Sequence, residues 1–499
     1  MMNKRKIEKT YVALIALLIG IQPILELVWL NNGTIGEIAG FTIPTLIRFG
    51  LLGITGVLSF FVIQFNKRYI WLVIYAVIVS FYGILHHIFC LDFYSYVPGN
   101  FGYDFFQEIF YLIRLAAPVA MIYFVYNSKI KEMLFERLII WISFFSSGLV
   151  VITNVVKISL GSYSDKTILG NIFDWFLNKG QYAFSDLASK GFFYWSIYST
   201  VLVLVYPYLI YLYFTKKKKY YLGLIALQGI ALYMFGTKAT TFSVIIELII
   251  MLMVYLVCTF IKKDDKFCIR LITPYLLVVL IAILVYPYTP AVSRSSFDSD
   301  YKKELDEKYD QEEEAEKFNS FKDAEEYIAK NYPYFSINEE FILNSYSYKY
   351  DVEFWEDLLN ELGPSERMQN RIVEQMMLER VKEINDDPMD TYFGLGYSRT
   401  SHIYNLERDF IYQYYSLGLI GTIVFLGPYV GILVLIILIM LIKFKDRATV
   451  QNCAIVLGCG LTLFLAYYSG NVVDNLGITI MLGAMQGYLL QINFRKERG

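Results

Sequence analysis

The chain has 499 residues, of which 56% are hydrophobic and only 18% charged, with a formal net charge of −2 and a mean hydropathy of +0.44. Soluble globular chains carry about 45–50% apolar and about 25% charged residues, so the composition excludes an ordinary soluble domain. The near-neutral total carries little meaning because the charges are segregated along the chain, and no nucleic-acid partner is expected.

Repeated apolar runs near 20 residues identify a polytopic helical membrane protein. MMNKRKIEKT opens the chain, and its apolar continuation lacks a small-residue cleavage site, which reads as a retained anchor. Spans are predicted at residues 11–30, 41–65, 69–91, 105–126, 138–156, 192–214, 220–235, 241–261 and 268–288. A hydrophilic insert of about 120 residues follows. A long apolar run at 410–442 and two last spans, 450–468 and 476–492, complete the chain. The expected fold is all-α, with about twelve transmembrane helices and one large extracytoplasmic insert that contains helices. The expected divisions are residues 1–288, a membrane part with about nine spans; 289–408, an extracytoplasmic loop or lid; and 409–499, a membrane part with about three spans.

Lys/Arg placement sets the orientation. With the N-terminus in the cytoplasm, the inner segments are NKRKIEK, NKR, residues 129–137, the run Lys216 to Lys219, KKDDK, KFKDR and RKERG, and every one is basic-rich. A second crossing within 410–442 would break this alternation, so that run is read as one long or partly interfacial helix. Both termini then lie in the cytoplasm, and the insert lies outside the membrane. The five cysteines mostly lie in or beside apolar runs and form no CxxC pair, so neither a disulfide frame nor a metal knuckle follows.

The insert holds about twice as many acidic as basic residues. Residues 298–330, with the run EEEAEKF, read as a solvated helix. Pro364-Ser365 begins an amphipathic helix with Met368, Ile372, Met376, Val381 and Ile384 near helical period, ended by Asp386-Asp387-Pro388. This helix is a candidate lid over the membrane face.

Ionisable groups inside spans are costly and therefore functional candidates. Arg48, Arg114 and Glu247 qualify, with Glu26 and Glu108 nearer span ends, and Lys238 stands at the outer mouth of the seventh and eighth spans. A basic cluster opening outward suits a diphosphate, because guanidinium forks bind its oxygens in pairs and Lys adds a point charge. The competing reading for Arg48 and Arg114 is an Arg–Glu pair that fixes helix packing. The sharpest stretch is GLGYSRTSHIYNLERDFIYQYYSLGLIGTIVFL, beginning at Gly394. Gly394 and Gly396 permit close backbone approach or positive φ. His402 is one of three histidines and can take a proton from an attacking hydroxyl near neutral pH. A helix through His402 would put Asn405 and Asp409 on its face and turn Glu407 away; alternatively, the helix begins after His402. Asp409 or Glu407 would support the histidine. There is no P-loop, HExxH or GxSxG, and the Asp298-Ser299-Asp300 pair is not in a cytoplasmic loop. No cofactor and no metal are expected.

About twelve spans, one late insert, and the block GLGYSRTSHIYNLERDFIYQYYSLGLIG together resemble the bacterial O-antigen polymerase and O-antigen ligase superfamily, with LERDFIYQYYSLGLIGTIVF most like its Gram-positive branch. The link GTKATTFSV, with Lys238, is similar to the family's short basic motif, and Asn370-Arg371 to its second basic site. The resemblance implies a metal-independent, inverting glycosyltransferase whose donor is a glycan on undecaprenyl diphosphate. Lys238 and Arg371, with Arg48 or Arg114, would hold the diphosphate, and His402 would assist the acceptor. Membrane lipids and other polysaccharide-assembly proteins are the remaining expected partners. Polymerisation of lipid-linked repeat units is the leading reading. Ligation of a finished glycan to another acceptor is the alternative, although Ile403 stands where ligases commonly carry Asn. A lipid-linked-sugar flippase is disfavoured by the lack of an internal repeat and by charges that crowd the outer half.

Overall fold

A helix forms at each of the twelve predicted span positions in the computed structural model, which describes residues 4–32, 37–38, 41–63, 69–97, 101–178, 180–262, 268–312, 321–403, 406–468 and 470–495. In chain order these are α1 (Lys4–Gly20), α2 (Ile43–Ile63), α3 (Tyr69–Phe89), α4 (Phe105–Ser128), α5 (Glu132–Val155), α6 (Ser199–Lys216), α7 (Lys219–Phe235), α8 (Lys238–Val257) and α9 (Ile269–Val285). The insert contributes α10 (Pro290–Glu312), α11 (Phe321–Asn331), α12 (Val352–Glu361), α13 (Asn370–Asn385) and α14 (Tyr397–Ile403). The last three spans are α15 (Asp409–Ile442), α16 (Val450–Tyr468) and α17 (Leu476–Phe494). Among the described residues, 9 helices are long and apolar enough to cross a membrane. The chain is thus an all-α polytopic membrane protein. Its described strands make two small two-stranded sheets in the connections, one of them pairing Leu160–Gly161 with Ser189–Gly191. Asn405, the Asn66-Lys67-Arg68 link, the Pro98-Gly99-Asn100 turn, most of EEEAEKF and Lys496-Glu497-Arg498 lie outside the described residues.

Sequence composition explains which helices are central. In α6, every residue from Ser199 to Phe214 is buried, and its run of Val, Leu and Tyr is apolar on every face, as an enclosed helix requires. α3 instead leaves Trp71, Val77, Phe81 and Ile84 exposed at its surface, as a lipid-facing helix does. The connections segregate into two ends. At one end, Lys216 pairs with Glu136 at 2.7 Å, Lys262 donates to the Ala448 carbonyl at 2.9 Å and Arg495 donates to Asn127 at 2.9 Å. At the other, Val28 N–H bonds to the Phe192 carbonyl at 2.9 Å, Tyr94 N–H to Asn385 at 2.8 Å, and the insert closes over the bundle. Among the described residues, the basic groups Lys216, Lys262 and Arg495 therefore meet at one end, and the insert occupies the opposite one.

The insert has its own core, with Phe341, Trp355, Leu358 and Met377 packed against Leu395, Ile403 and Tyr412. The amphipathic helix begins as a short turn at Pro364–Arg367 and resumes as α13. Its buried stripe is Val373, Glu374, Met377, Leu378 and Val381. That stripe is rotated by about one residue from the Ile372/Met376 face expected from periodicity, and it carries a carboxyl into the core. Asp386 ends the helix in the left-handed conformation, with φ 49°.

The apolar run at 409–442 is a single element broken once. Gly418 has φ 66° and ψ −177° inside α15, a backbone region essentially closed to residues with a Cβ. Gly394 is in the same region, with φ 81° and ψ 176°, and the two glycines face each other. A Cβ on Gly394 would run into the 416–418 backbone, and one on Gly418 into the backbone of Tyr392 and Phe393. Contact at this range allows Leu395 N–H to bond to the Tyr415 carbonyl at 2.8 Å and Gly396 N–H to the Ser416 carbonyl at 3.0 Å. The break also frees the Leu417 carbonyl, which accepts from the Tyr82 hydroxyl of α3 at 2.6 Å. Gly418→Ala should therefore lower stability by at least about 3 kcal/mol. Gly431→Ala, further along α15 where a new Cβ meets nothing, should be neutral or stabilising by up to about 1 kcal/mol. Thermal unfolding of both variants in detergent checks this.

Candidate active site

The Gly-x-Gly turn is held from beneath by a buried charged network. His86, at the last turn of α3, is fully buried. Its Nδ1 is 2.7 Å from the Phe393 carbonyl and its Nε2 is 3.2 Å from Glu108 Oε2 of α4. A carbonyl can only accept, so Nδ1 carries a proton, and a second proton is shared between Nε2 and the carboxyl. The other oxygen of Glu108 accepts from the Ser398 N–H at 2.6 Å and from its hydroxyl at 2.7 Å, which places negative charge at the N-terminus of α14. Arg399 donates to the carbonyls of Phe101 and Leu395, both at 3.0 Å, and its guanidinium lies 4.2 Å from the Phe93 ring centroid. These contacts fix the first turn of α14. The sequence signal for this network was present in the His86-His87 pair and in Glu108, but nothing in the sequence joined them to a turn about 300 residues away.

His402 is on the exposed side of that fixed helix and has no hydrogen-bond partner among the described residues. Ile403, the last described residue of α14, is fully buried in the insert's core. A helical face shared by His402 and Asp409 therefore does not form, because the chain turns inward at Leu406 and begins a new helix at Asp409. The Asp409 carboxylate accepts from the N–H groups of Val472 and Val473 at 2.7 and 2.9 Å. Glu407 stays exposed and pairs with Arg371, the second residue of α13, at 2.6 Å. α13 packs against α14, so Arg371, Glu407 and His402 stand on elements that share one core.

The remaining predicted cations separate into buried and open ones. Arg48 is buried, and its Nε donates to Gln22 at 2.9 Å while its fork meets Glu26 at 2.5 Å. This is the packing pair that the sequence left open. Gly477 of α17 lies directly against it. Arg114 donates to the Asp474 carbonyl, and the Asp474 carboxylate accepts from Tyr111 at 2.9 Å. Tyr111 stacks on Tyr397 of α14 with centroids 3.8 Å apart. Arg48, Arg114 and Asp409 thus all converge on residues 472–477, the end of the connection from α16 and the start of α17, whose Asp474 sequence reading passed over. Lys238 begins α8, half-exposed, and pairs with Asp298 of α10 at 2.8 Å. Glu247 is fully buried with no hydrogen-bond partner among the described residues.

One further group belongs to the Arg371–Glu407 pair. Glu374 is one helical turn beyond Arg371, almost wholly buried, with Oε2 unpartnered. Burial, reinforced by the Glu407 charge and opposed by Arg371, pushes its carboxyl from an ordinary 4.5 up to about 8. The folded state therefore binds a proton here that the unfolded chain has lost. Stability contributed by this proton is complete below pH 4.5 and falls away as pH rises towards 8. Glu374→Gln should flatten the decline of the unfolding midpoint between pH 5 and 8, a change read by thermal scans at several pH values. His86→Ala should cost about 3–5 kcal/mol, the usual result of leaving one partner of a buried pair, in the same assay.

The fold and this grouping define a multi-pass helical membrane protein that carries exposed polar groups on a folded insert at one end of the bundle. Residues 8–497 match the family model described as O-antigen ligase like membrane protein, and the chain belongs to that family, a class of membrane proteins tied to glycosyl transfer. No curated protein matches the chain.

Proposed function

We propose that the protein is a polysaccharide polymerase that joins oligosaccharide repeat units carried on undecaprenyl diphosphate at the outer face of a bacterial cytoplasmic membrane, with both termini inside. The observation that carries this reading is the grouping of Arg371, Glu407 and the open His402 on packed elements of the insert. Family membership supplies the chemistry class. The donor would place its diphosphate between Lys238 and Arg371, the two predicted cations that remain at the surface. Their positive charge stabilises the leaving undecaprenyl diphosphate as the glycosidic bond breaks. His402 takes the proton from the acceptor sugar hydroxyl as that oxygen attacks the anomeric carbon with inversion. Glu407, released from Arg371 when the diphosphate takes its place, is close in the chain to His402 and can stabilise the imidazolium. Arg48, Arg114 and Asp409 serve the scaffold in this reading, because their polar groups are already engaged internally. Cleavage of the glycosyl–phosphate bond supplies the energy, so no nucleotide is required.

The family description favours a second reading, transfer of a finished glycan to a different acceptor. Against it, the residue after His402 is Ile403, and its burial commits that position to packing. Cells lacking the gene and complemented with wild type, His402→Ala or Arg371→Ala at equal membrane expression separate the readings. The polymerase reading expects single repeat units on lipid and at least a tenfold loss of long chains in both variants, seen on a gel of the lipid-linked and surface pools. Long lipid-linked chains that never reach a final acceptor would indicate ligation. Normal polymer in both variants would remove the site.

A further inference from the structure

Lys238 is not alone at its surface. The i, i+3, i+4, i+7 positions of α10 place Arg294, Phe297, Asp298 and Tyr301 on one face. Asp298 Oδ2 holds Lys238 Nζ at 2.8 Å and lies 3.8 Å from Arg294 Nε, so two cations share a single carboxylate. The Arg294 guanidinium lies 4.6 Å from the Tyr163 ring centroid and 5.9 Å from that of Phe184. Those rings continue as a row: Tyr163 meets Phe184 edge-on at 5.4 Å, Phe184 meets Phe297 at 5.8 Å, and Phe297 stacks on Tyr301 at 6.1 Å with planes 7° apart. Phe297 and Tyr301 are 57% and 41% exposed. The Tyr163 hydroxyl donates to the Gly236 carbonyl at 2.7 Å, which ties the row to the link that presents Lys238.

Open rings beside an excess of positive charge have a specific use. The C–H face of a sugar packs on an aromatic face, and a guanidinium held flat against rings keeps its fork directed at an oxyanion. Rings of an interfacial belt would need no ion pair on the same helical face. We infer that Arg294 joins Lys238 in a sugar-diphosphate subsite, that the row Phe184, Phe297 and Tyr301 receives the sugar attached to the diphosphate, and that Asp298 is an internal counter-ion which the diphosphate displaces. The inference rests on the reading of Lys238 as a donor-binding cation. Asp298 offers one carboxylate to two cations; a diphosphate offers more charge and more oxygens, so exchange is favourable when the donor arrives, and the empty site avoids unpaired cations at the membrane surface.

The test is equilibrium binding by the full-length protein in nanodiscs, with farnesyl diphosphate and with farnesyl diphosphate carrying one N-acetylglucosamine as probes. Unfolding midpoints confirm that each variant is folded. Arg294→Ala should weaken both probes at least tenfold, with partial recovery in Arg294→Lys. Asp298→Asn should tighten both about threefold or more, an outcome that loss of a mere anchor for α10 cannot produce. Phe297→Ala should bring the two probes to equal affinity, where wild type prefers the sugar-bearing one. If Asp298→Asn weakens binding or Arg294→Ala leaves it unchanged, while Lys238→Ala still loses it, the inference is overturned and the reading of Lys238 survives. If Lys238→Ala also binds like wild type, both fall.

Discussion

The candidate site depends on two glycines meeting backbone to backbone. Gly394 and Gly418 both have positive φ in a region closed to other residues; a Cβ on Gly394 would meet the 416–418 backbone, and one on Gly418 the backbone of Tyr392 and Phe393. Their contact breaks a long apolar helix at the level where the insert docks and gives the freed backbone new partners in the Gly-x-Gly turn and Tyr82. Nothing larger satisfies both conditions. The insert is thereby joined to the membrane bundle through main-chain hydrogen bonds, which leaves the neighbouring side chains of α14 available for chemistry.

Charge is then partitioned by depth. Below the turn, His86, Glu108 and Arg399 are consumed in positioning α14. Towards α16 and α17, Arg48 is consumed by Gln22 and Glu26, and Arg114 by the Asp474 carbonyl. Burying ions costs several kcal/mol each unless they are paired and hydrogen-bonded, and these buried groups are paired or bonded. Lys238, Arg294 and Arg371 are instead paired with partly exposed carboxylates, contacts worth about 0–1 kcal/mol in water. A polyanion can replace such partners at little cost. The distinction between spent and available cations is what gives the insert end a functional surface.

The membrane architecture was legible because it rests on length and apolarity, which sequence displays directly; every predicted span position carries a helix. The Gly-x-Gly signal was also legible as a demand for unusual backbone, although its partner was read only as the opening of a helix. Three things were less so. The helical face shared by His402 and Asp409 does not form, because residues 406–408 are not helical and a new helix begins at Asp409, the alternative that the sequence also allowed. Glu374 was invisible because an acid on an amphipathic helix is ordinarily solvent-facing, and only the rotation of α13 by about one residue buries it. Asp474 lacked any local signal, and Asp298 was noticed only as part of an Asp-x-Asp pair; their importance comes from Arg114 and Lys238, groups brought to them by tertiary packing.

The most direct test of the account is reconstitution. Purified protein in liposomes would be given the lipid-linked repeat unit extracted from cells that lack it, without nucleotide, and release of undecaprenyl diphosphate would be followed beside the length of the lipid-linked glycan. The account predicts one undecaprenyl diphosphate released for each unit added to a growing chain. Unchanged substrate, or chain growth without that release, would contradict it.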